Sequence, residues 1–445
     1  LINFYKKGYG LWLIIPFFIV ICIRMIYRLT TLLCIALFSC AGIKTPPTTK
    51  NNLPVNVLEN LLQANPAMFK KIMDNRQNYR VQIIYTQISR NKQNVPTFTD
   101  YTFNLDSNQY FYPASMVKMP AALLALQKLG KLQQQGIERT TAMITDSSFT
   151  GQQAVLTQPT AADSRPTVEQ YIREIFAVSD NEAYNRLYEF LGQQYINEQL
   201  HAKGYTSAQI LHRLSVPLTE EENRHTNAIS FYDTAGNLLY RQPAAYNNVQ
   251  YQPRQTQLGN GYYSNGQLVN TPFNFSQKNR LCLTDLQQML RSVLFPLSVP
   301  ARQRFNLSAS DYRFVYKSMS SLPREVTYPE YDSTEYWDAY VKFLLYGSEK
   351  GSMPSNIRIF NKVGDAYGFL TDVAYIVDFE TKVEFMLGAT IFCNEKGIFN
   401  SDDYQYDSIG FPFMKNLGRV VYDYELKRKR KYLPDLSEFT FDYSR

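Results

Sequence analysis

Histidine is scarce in this chain: His201, His212 and His225 are all it has in 445 residues. A catalytic triad built on histidine has little to draw on. Cysteine is scarcer than its count of five suggests, because Cys22, Cys34 and Cys40 all fall in the first forty residues. The body keeps only Cys282 and Cys393, both in apolar surroundings. They read as two buried thiols, and no zinc-ligand spacing exists. An excess of charge is lacking too. Four of the 46 basic residues and none of the 39 acids lie in residues 1–40, so the formal charge of +7 falls to +3 without them. That is too little to suggest a nucleic-acid partner. The basic run Lys427–Lys431 is short and near the end, and reads as a solvated tail or helix end. There is no internal repeat and no low-complexity tract. What is abundant is apolar and aromatic side chains, 45% and 14%, enough for a substantial core.

The front end reads as an address. A basic residue, Arg28, is followed by a short apolar run and then Leu37-Phe38-Ser39-Cys40. This resembles a bacterial lipoprotein signal, in which Cys40 would be acylated after cleavage before it. Two or more acyl chains anchor stably. An earlier apolar run, Leu11–Ile23, is shorter than the ~20 residues of a spanning helix. Translation is read as starting at Met25; the alternative is one N-terminal membrane segment. Residues 41–54 read as a tether. The expected product is exported, periplasmic and lipid-anchored to the envelope membrane.

Along the body, Val57–Asp74 has helical apolar spacing. Tyr79–Ser89 and Thr97–Leu105 alternate as strands. Ser115–Leu132 predicts a helix, 167–202 two more, and 282–295 another. From Phe231 to Lys278 turn signals recur (Gly236-Asn237, Asn247-Asn248, Gly259-Asn260-Gly261, Asn265-Gly266), which predicts inserted hairpins. Ile357–Val363, Phe369–Asp378 and Val383–Cys393 predict three successive strands, with a helix around 404–426. Strands at both ends with helices between predict an α+β fold: an antiparallel sheet from both termini packed with helices, plus a central all-helical lobe. The implied boundaries are a body of 55–425 and a tail of 426–445. Within the body, the layer comprises 55–113 and 296–425, and the lobe 114–295 with its insertion 231–278.

Three short stretches carry the chemistry. In Ser115-Met116-Val117-Lys118, positions i and i+3 share a helix face, so Lys118 can sit against the Ser115 hydroxyl and act as its base. A nucleophile at a helix start also has backbone N–H groups aimed at the reacting carbonyl. Alone this is weak, since roughly one or two Ser-x-x-Lys arise by chance in such a chain. A second copy, Ser89–Lys92, ends a strand and opens no helix. In Ser179-Asp180-Asn181, the serine can relay a proton to a leaving nitrogen and the asparagine can hold a substrate amide carbonyl. The simpler reading is a helix N-cap. In Lys362-Val363-Gly364, on a predicted strand, the lysine offers positive charge to a substrate carboxylate. Gly364 would let substrate backbone approach, and the Asp365 N–H would complete an oxyanion hole with that of Ser115.

In this order the three stretches resemble the signature of class A β-lactamases and penicillin-binding proteins. Phe111-Tyr112-Pro113-Ala114 resembles the family's lead into the nucleophile. Leu283–Leu294 resembles its helix before the last strands. Gly368–Ala374 resembles the strand after its Lys-x-Gly. The resemblance covers roughly 55–425. It implies a class A β-lactamase-like fold and a serine hydrolase with Ser115, Lys118 and Ser179 catalytic and Asn181, Lys362, Gly364 and Asp365 around the substrate. It calls for no cofactor and no metal.

Two departures stand out. The family's deacylating glutamate has no counterpart at the family spacing in Arg213–Asn223. One of Glu220–Glu222, with Glu221 as candidate, would have to replace it; the alternative is an exposed acidic turn. Val363 lacks the hydroxyl that the family places there, and Asp365 adds a negative charge. Three functions follow. One is hydrolysis of a β-lactam or related amide, a small-molecule substrate. The second is hydrolysis of cell-wall peptide. The third is non-catalytic binding at the cell wall, with the insertion as recognition surface.

Overall fold

The computed structural model describes residues 56–149 and 152–444. Cys40, the signal and most of the tether lie outside the described residues. No helix among the described residues is long and apolar enough to cross a membrane.

The predicted first helix is two: α1 (Val57–Ala64) and α2 (Pro66–Asp74). The break falls where Pro66 removes an N–H and takes the first position of α2. Strands β1 (Gln82–Arg90) and β2 (Pro96–Phe103) follow. Near the C-terminus come β3 (Ile357–Ala366), β4 (Phe369–Asp378) and β5 (Val383–Phe392). All pairings are antiparallel in the order β3-β4-β5-β1-β2, so the first and last parts of the fold make one sheet, as expected.

Each face of this sheet meets its own core. Ile84, Val373 and Met386 point to the side that continues into the helical lobe. Ile83, Tyr85, Ile376 and Leu387 point to the side covered by α1, α2 and the last helix. A sheet buried on both faces has no solvated row, which is why β3–β5 read as nearly unbroken apolar runs.

The lobe holds a 3₁₀ turn (Ala114–Val117) running into α3 (Lys118–Leu132), then α4 (Val168–Ala177), α5 (Asn181–Leu191) and α6 (Gln193–Ala202). Two helices were expected over 167–202 and three are present. Gly192, at φ +79°, turns the chain between α5 and α6. Helix α7 (Leu283–Leu294) packs against the sheet; at Gly388 a Cβ would come within 2.7 Å of Gln287 Oε1. Helix α8 (Ala309–Ser320) was not anticipated, although Ser308 and Asp311 form a reciprocal capping box at its start.

The hairpins of the insertion are not a free appendage. Ile229–Tyr232 pairs with Ala142–Thr145, and Gly261–Ser264 pairs in parallel with Ile398–Phe399 beyond β5. The C-terminal residues also correct their reading as a tail. Helix α9 (Phe411–Lys427) ends in a fully buried Glu425, ion-paired to Arg428 at 2.8 Å and Arg430 at 2.5 Å. Leu436 and Phe439 then join the core. A buried carboxylate needs its cations close by, so Arg428 and Arg430 turn inward while Lys427, at the helix end, Lys429 and Lys431 stay exposed. Cys282 and Cys393 are buried free thiols.

Candidate active site

The site starts from two strained residues. Ala114, just before Ser115, has φ +46°, and Ser179 has φ +61°. Left-handed backbone at non-glycine residues costs about 1–3 kcal/mol each, and is held by what surrounds it. Around Ala114 the surroundings are close. The 3₁₀ turn lies against β3, where a Cβ on Gly364 would sit 2.4 Å from Pro113 O and 2.9 Å from Met116 N. The glycine therefore admits the protein's own 3₁₀ turn, not the substrate backbone assigned to it from sequence. Asp365, next on the strand, is near enough to act electrostatically on Lys118 and Lys362.

Three stretches far apart in sequence meet here. Lys118 Nζ lies 2.7 Å from Ser115 Oγ, 2.5 Å from Ser179 O, 2.7 Å from Asn181 Oδ1 and 3.3 Å from Ser179 Oγ. Lys362 Nζ lies 2.8 Å from Ser179 Oγ and 2.9 Å from Val363 O. Both lysines are buried, 0% and 2% exposed. Burial lowers the Lys118 pKa to about 7, against the pull of Asp180 and Asp365. Burial, with Lys118 as a second cation, takes Lys362 well below its ordinary value. A neutral Lys118 that donates to Ser179 O and Asn181 Oδ1 keeps a lone pair for the Ser115 hydroxyl. Behind the strand, Lys342 donates to Asn361 Oδ1 (2.7 Å) and Asn361 donates to Asp372 (2.9 Å), fixing β3 beside Lys362.

Helix α5 supplies a ladder that the sequence reading did not use. Asp180 caps the helix by accepting from Ala183 N at 2.7 Å. Asn181, Asn185 and Glu189 then recur every four residues on one face. Glu189 pairs with buried Arg213 (2.7 Å), and Asn185 holds both Leu214 N (2.9 Å) and Leu214 O (3.0 Å). Asn181 Nδ2 donates to Ser215 Oγ at 2.9 Å. Three consecutive loop residues are thus bonded to three rungs, and Ser215 (φ +55°) is the residue set against the site. The ladder itself was visible in sequence as Asn-x-x-x-Asn-x-x-x-Glu.

Glu221 is not brought to this cluster. It lies on the helical turn Glu220–Arg224 with its side chain 63% exposed, accepting from Tyr246 OH at 3.1 Å. The capping box of Thr219 and Glu222 holds that turn as the exposed acidic element. No hydrogen bond or ion pair among the described residues joins Glu220, Glu221 or Glu222 to Ser115, Lys118 or Ser179. Val363 points the other way and is buried with Leu370 and Ala374.

Residues 67–242 match the model of the family described as Beta-lactamase enzyme family, a stretch holding Ser115, Lys118, Ser179, Asn181 and Ser215. The match supports placing the chain in the superfamily of β-lactamase and penicillin-binding serine hydrolases. Solved structures similar to it include a β-lactamase from Xanthomonas campestris pv. campestris, 13% identical, with 82% of this chain and all of that one covered and a TM-score of 0.45. Another is a β-lactamase from Sphaerobacter thermophilus, 12% identical, covering 83% and 96%, with a TM-score of 0.43. A third is an ancestral class A β-lactamase, 12% identical, covering 82% and 99%, with a TM-score of 0.43. No curated protein matches.

Proposed function

We propose that this protein is a serine hydrolase that opens an amide through an acyl-enzyme at Ser115, the amide belonging to a β-lactam or a related compound. The observation that carries this reading is the 2.7 Å contact between Ser115 Oγ and a buried Lys118 whose pKa lies at about 7. Neutral Lys118 takes the hydroxyl proton as Ser115 Oγ attacks the carbonyl carbon. The N–H groups of Ser115 and Asp365 receive the developing oxyanion. Ser179 Oγ, between the two lysines, passes a proton to the leaving nitrogen as the C–N bond breaks. Lys118 is then neutral again, and water cleaves the ester.

Treatment of the purified full chain with a chromogenic cephalosporin tests this. The expected result is one acyl group on Ser115 in the mass spectrum, absent from Ser115→Ala, followed by turnover. A chain that gains no adduct, and whose Ser115 a fluorophosphonate also leaves unlabelled, is no serine hydrolase.

A second reading is a peptidase acting on cell-wall peptide. It is favoured by the inward-facing Val363 and by the exposed position of Glu221, which leave the site without the hydroxyl and the glutamate expected of a fast β-lactamase. Release of fragments from purified peptidoglycan by the wild type and not by Ser115→Ala would select it. In either case the sequence around Cys40 supports an exported, lipid-anchored protein, tested by the mass of the mature N-terminal peptide.

A further inference from the structure

Beside Ser215 opens a cavity of about 740 Å³. One side is the loop pinned by α5, including Ser215 and Glu220; the other is the end of the insertion, including Phe273 and Lys278. Tyr112, before the 3₁₀ turn, and Tyr367, in the β3–β4 turn, also line it, their rings edge to face at 5.0 Å. Ser215, on its wall, is joined to Ser115 by three hydrogen bonds in series. Ser215 accepts from Asn181 (2.9 Å), Asn181 from Lys118 (2.7 Å), and Lys118 contacts Ser115 (2.7 Å).

The charges lining it are unequally engaged. Arg213 is neutralised by Glu189, and Arg224 is held by the carbonyls of Asn247 and Val249 at 2.8 Å each. Lys278 meets only the face of Phe273, 5.8 Å away, and its ammonium has no hydrogen-bond acceptor among the described residues. Burial lowers its pKa from the ordinary lysine value, and Glu220 pulls the other way without forming an ion pair within 4 Å. A half-buried cation without an acceptor favours an anion that brings its own oxygens. On the strand at the other side of the site Val363 turns inward, Asp365 adds a carboxylate, and the Lys362 amine is already bonded to Ser179 Oγ and Val363 O.

We propose that the acyl portion of the substrate runs from Ser115 past Asn181 into this cavity and ends in a carboxylate bound by Lys278. The substrate class is a peptide-like acyl chain bearing a distal carboxylate, its amides facing Asn181 and its body lying against the aromatic walls. The insertion thereby selects the substrate. This rests on acyl-enzyme formation at Ser115.

The test compares two nitrophenyl esters on the full chain. One is N-succinyl-alanyl-alanine p-nitrophenyl ester; the other is the same compound with the succinyl carboxylate methylated. Nitrophenolate bursts and Ser115 adduct masses are followed, with rates normalised to fluorophosphonate labelling of the same preparation. The wild type is expected to react about tenfold faster with the free carboxylate, equivalent to about 1.4 kcal/mol. Lys278→Met should bring the ratio to within about twofold of unity, and Lys278→Arg should keep it. Equal wild-type rates, or a preference that survives in Lys278→Met, overturn the proposal. If Ser115 takes neither ester nor the fluorophosphonate, the acyl-enzyme reading itself falls, and this one with it. Labelling by the fluorophosphonate with no preference between esters sinks the carboxylate site alone.

Discussion

Lys118 and Lys362 approach the same oxygen: the hydroxyl of Ser179 lies 3.3 Å from one amine and 2.8 Å from the other. Burial lowers the pKa of both amines, and the Lys118 charge lowers that of Lys362 further, with no solvent between them to screen it. The pair thereby serves two needs of the proposed reaction. One amine is free to take a proton from Ser115, and a hydroxyl lies between the amines to carry a proton onward.

The pH dependence of acylation follows from Lys118. Its pKa is about 7, so below that pH it is an ammonium without a lone pair and above it a free amine. Fluorophosphonate labelling of Ser115 is expected to rise with pH, with a midpoint near 7. Lys118→Arg, which cannot lose its proton, should abolish the rise and slow labelling by about 10² or more. A rate flat from pH 5 to 9 would remove Lys118 as the base.

Gly364→Ala tests the packing of β3 on the nucleophile turn. The added methyl meets Pro113 O at 2.4 Å and Met116 N at 2.9 Å, backbone atoms that cannot rotate away. Overpacking of this kind costs about 1–3 kcal/mol. Urea unfolding should show that loss, and Ser115 labelling should slow as the turn is displaced. An unchanged midpoint would mean the contact is looser than described.

Glu221→Gln is expected to leave acylation and deacylation within about twofold of wild type, because this exposed side chain bonds only within its own region. Measurement of adduct decay by mass spectrometry checks this. A long-lived adduct in the variant would restore Glu221 as the group that handles water.

Glu425→Gln probes the folded-back C-terminus. The variant leaves Arg428 and Arg430 without their shared carboxylate, and alters the bond from Tyr85 OH. Breaking a buried pair costs about 3–5 kcal/mol. Arg428 and Arg430 retain some access to water, so the lower end is expected in chemical denaturation. A loss under about 0.5 kcal/mol would return the segment to the status of a loose tail.

Much of the sheet was legible because its apolar runs are long and bounded by turn residues. The convergence of Ser115, Lys118, Ser179, Asn181 and Lys362 was legible because the three stretches resemble a known signature in a known order. What escaped is instructive. Helix α8 was signalled by its capping box, but lay in a stretch without strong periodicity. Ser215 escaped because the search around it was for a carboxylate, whereas the residue in place is defined by Arg213 and Leu214 binding the ladder on α5. Gly364 was identified as a close-approach position, but the group approaching it is the protein's own backbone.

Local chemistry, then, lies in the order of residues: which hydroxyl has a lysine one helical turn away, where a helix is capped, which strands are apolar. Properties that depend on long-range packing do not. Lys118 has a pKa near 7 because folding removes water from around it, and Lys362, 244 positions on, reaches the same Ser179 hydroxyl only in the folded chain. The exposure of Glu221, the seating of Ser215 and the cavity at Lys278 were decided the same way. Desolvation and contact are set by neighbours in space, which a linear pattern does not specify.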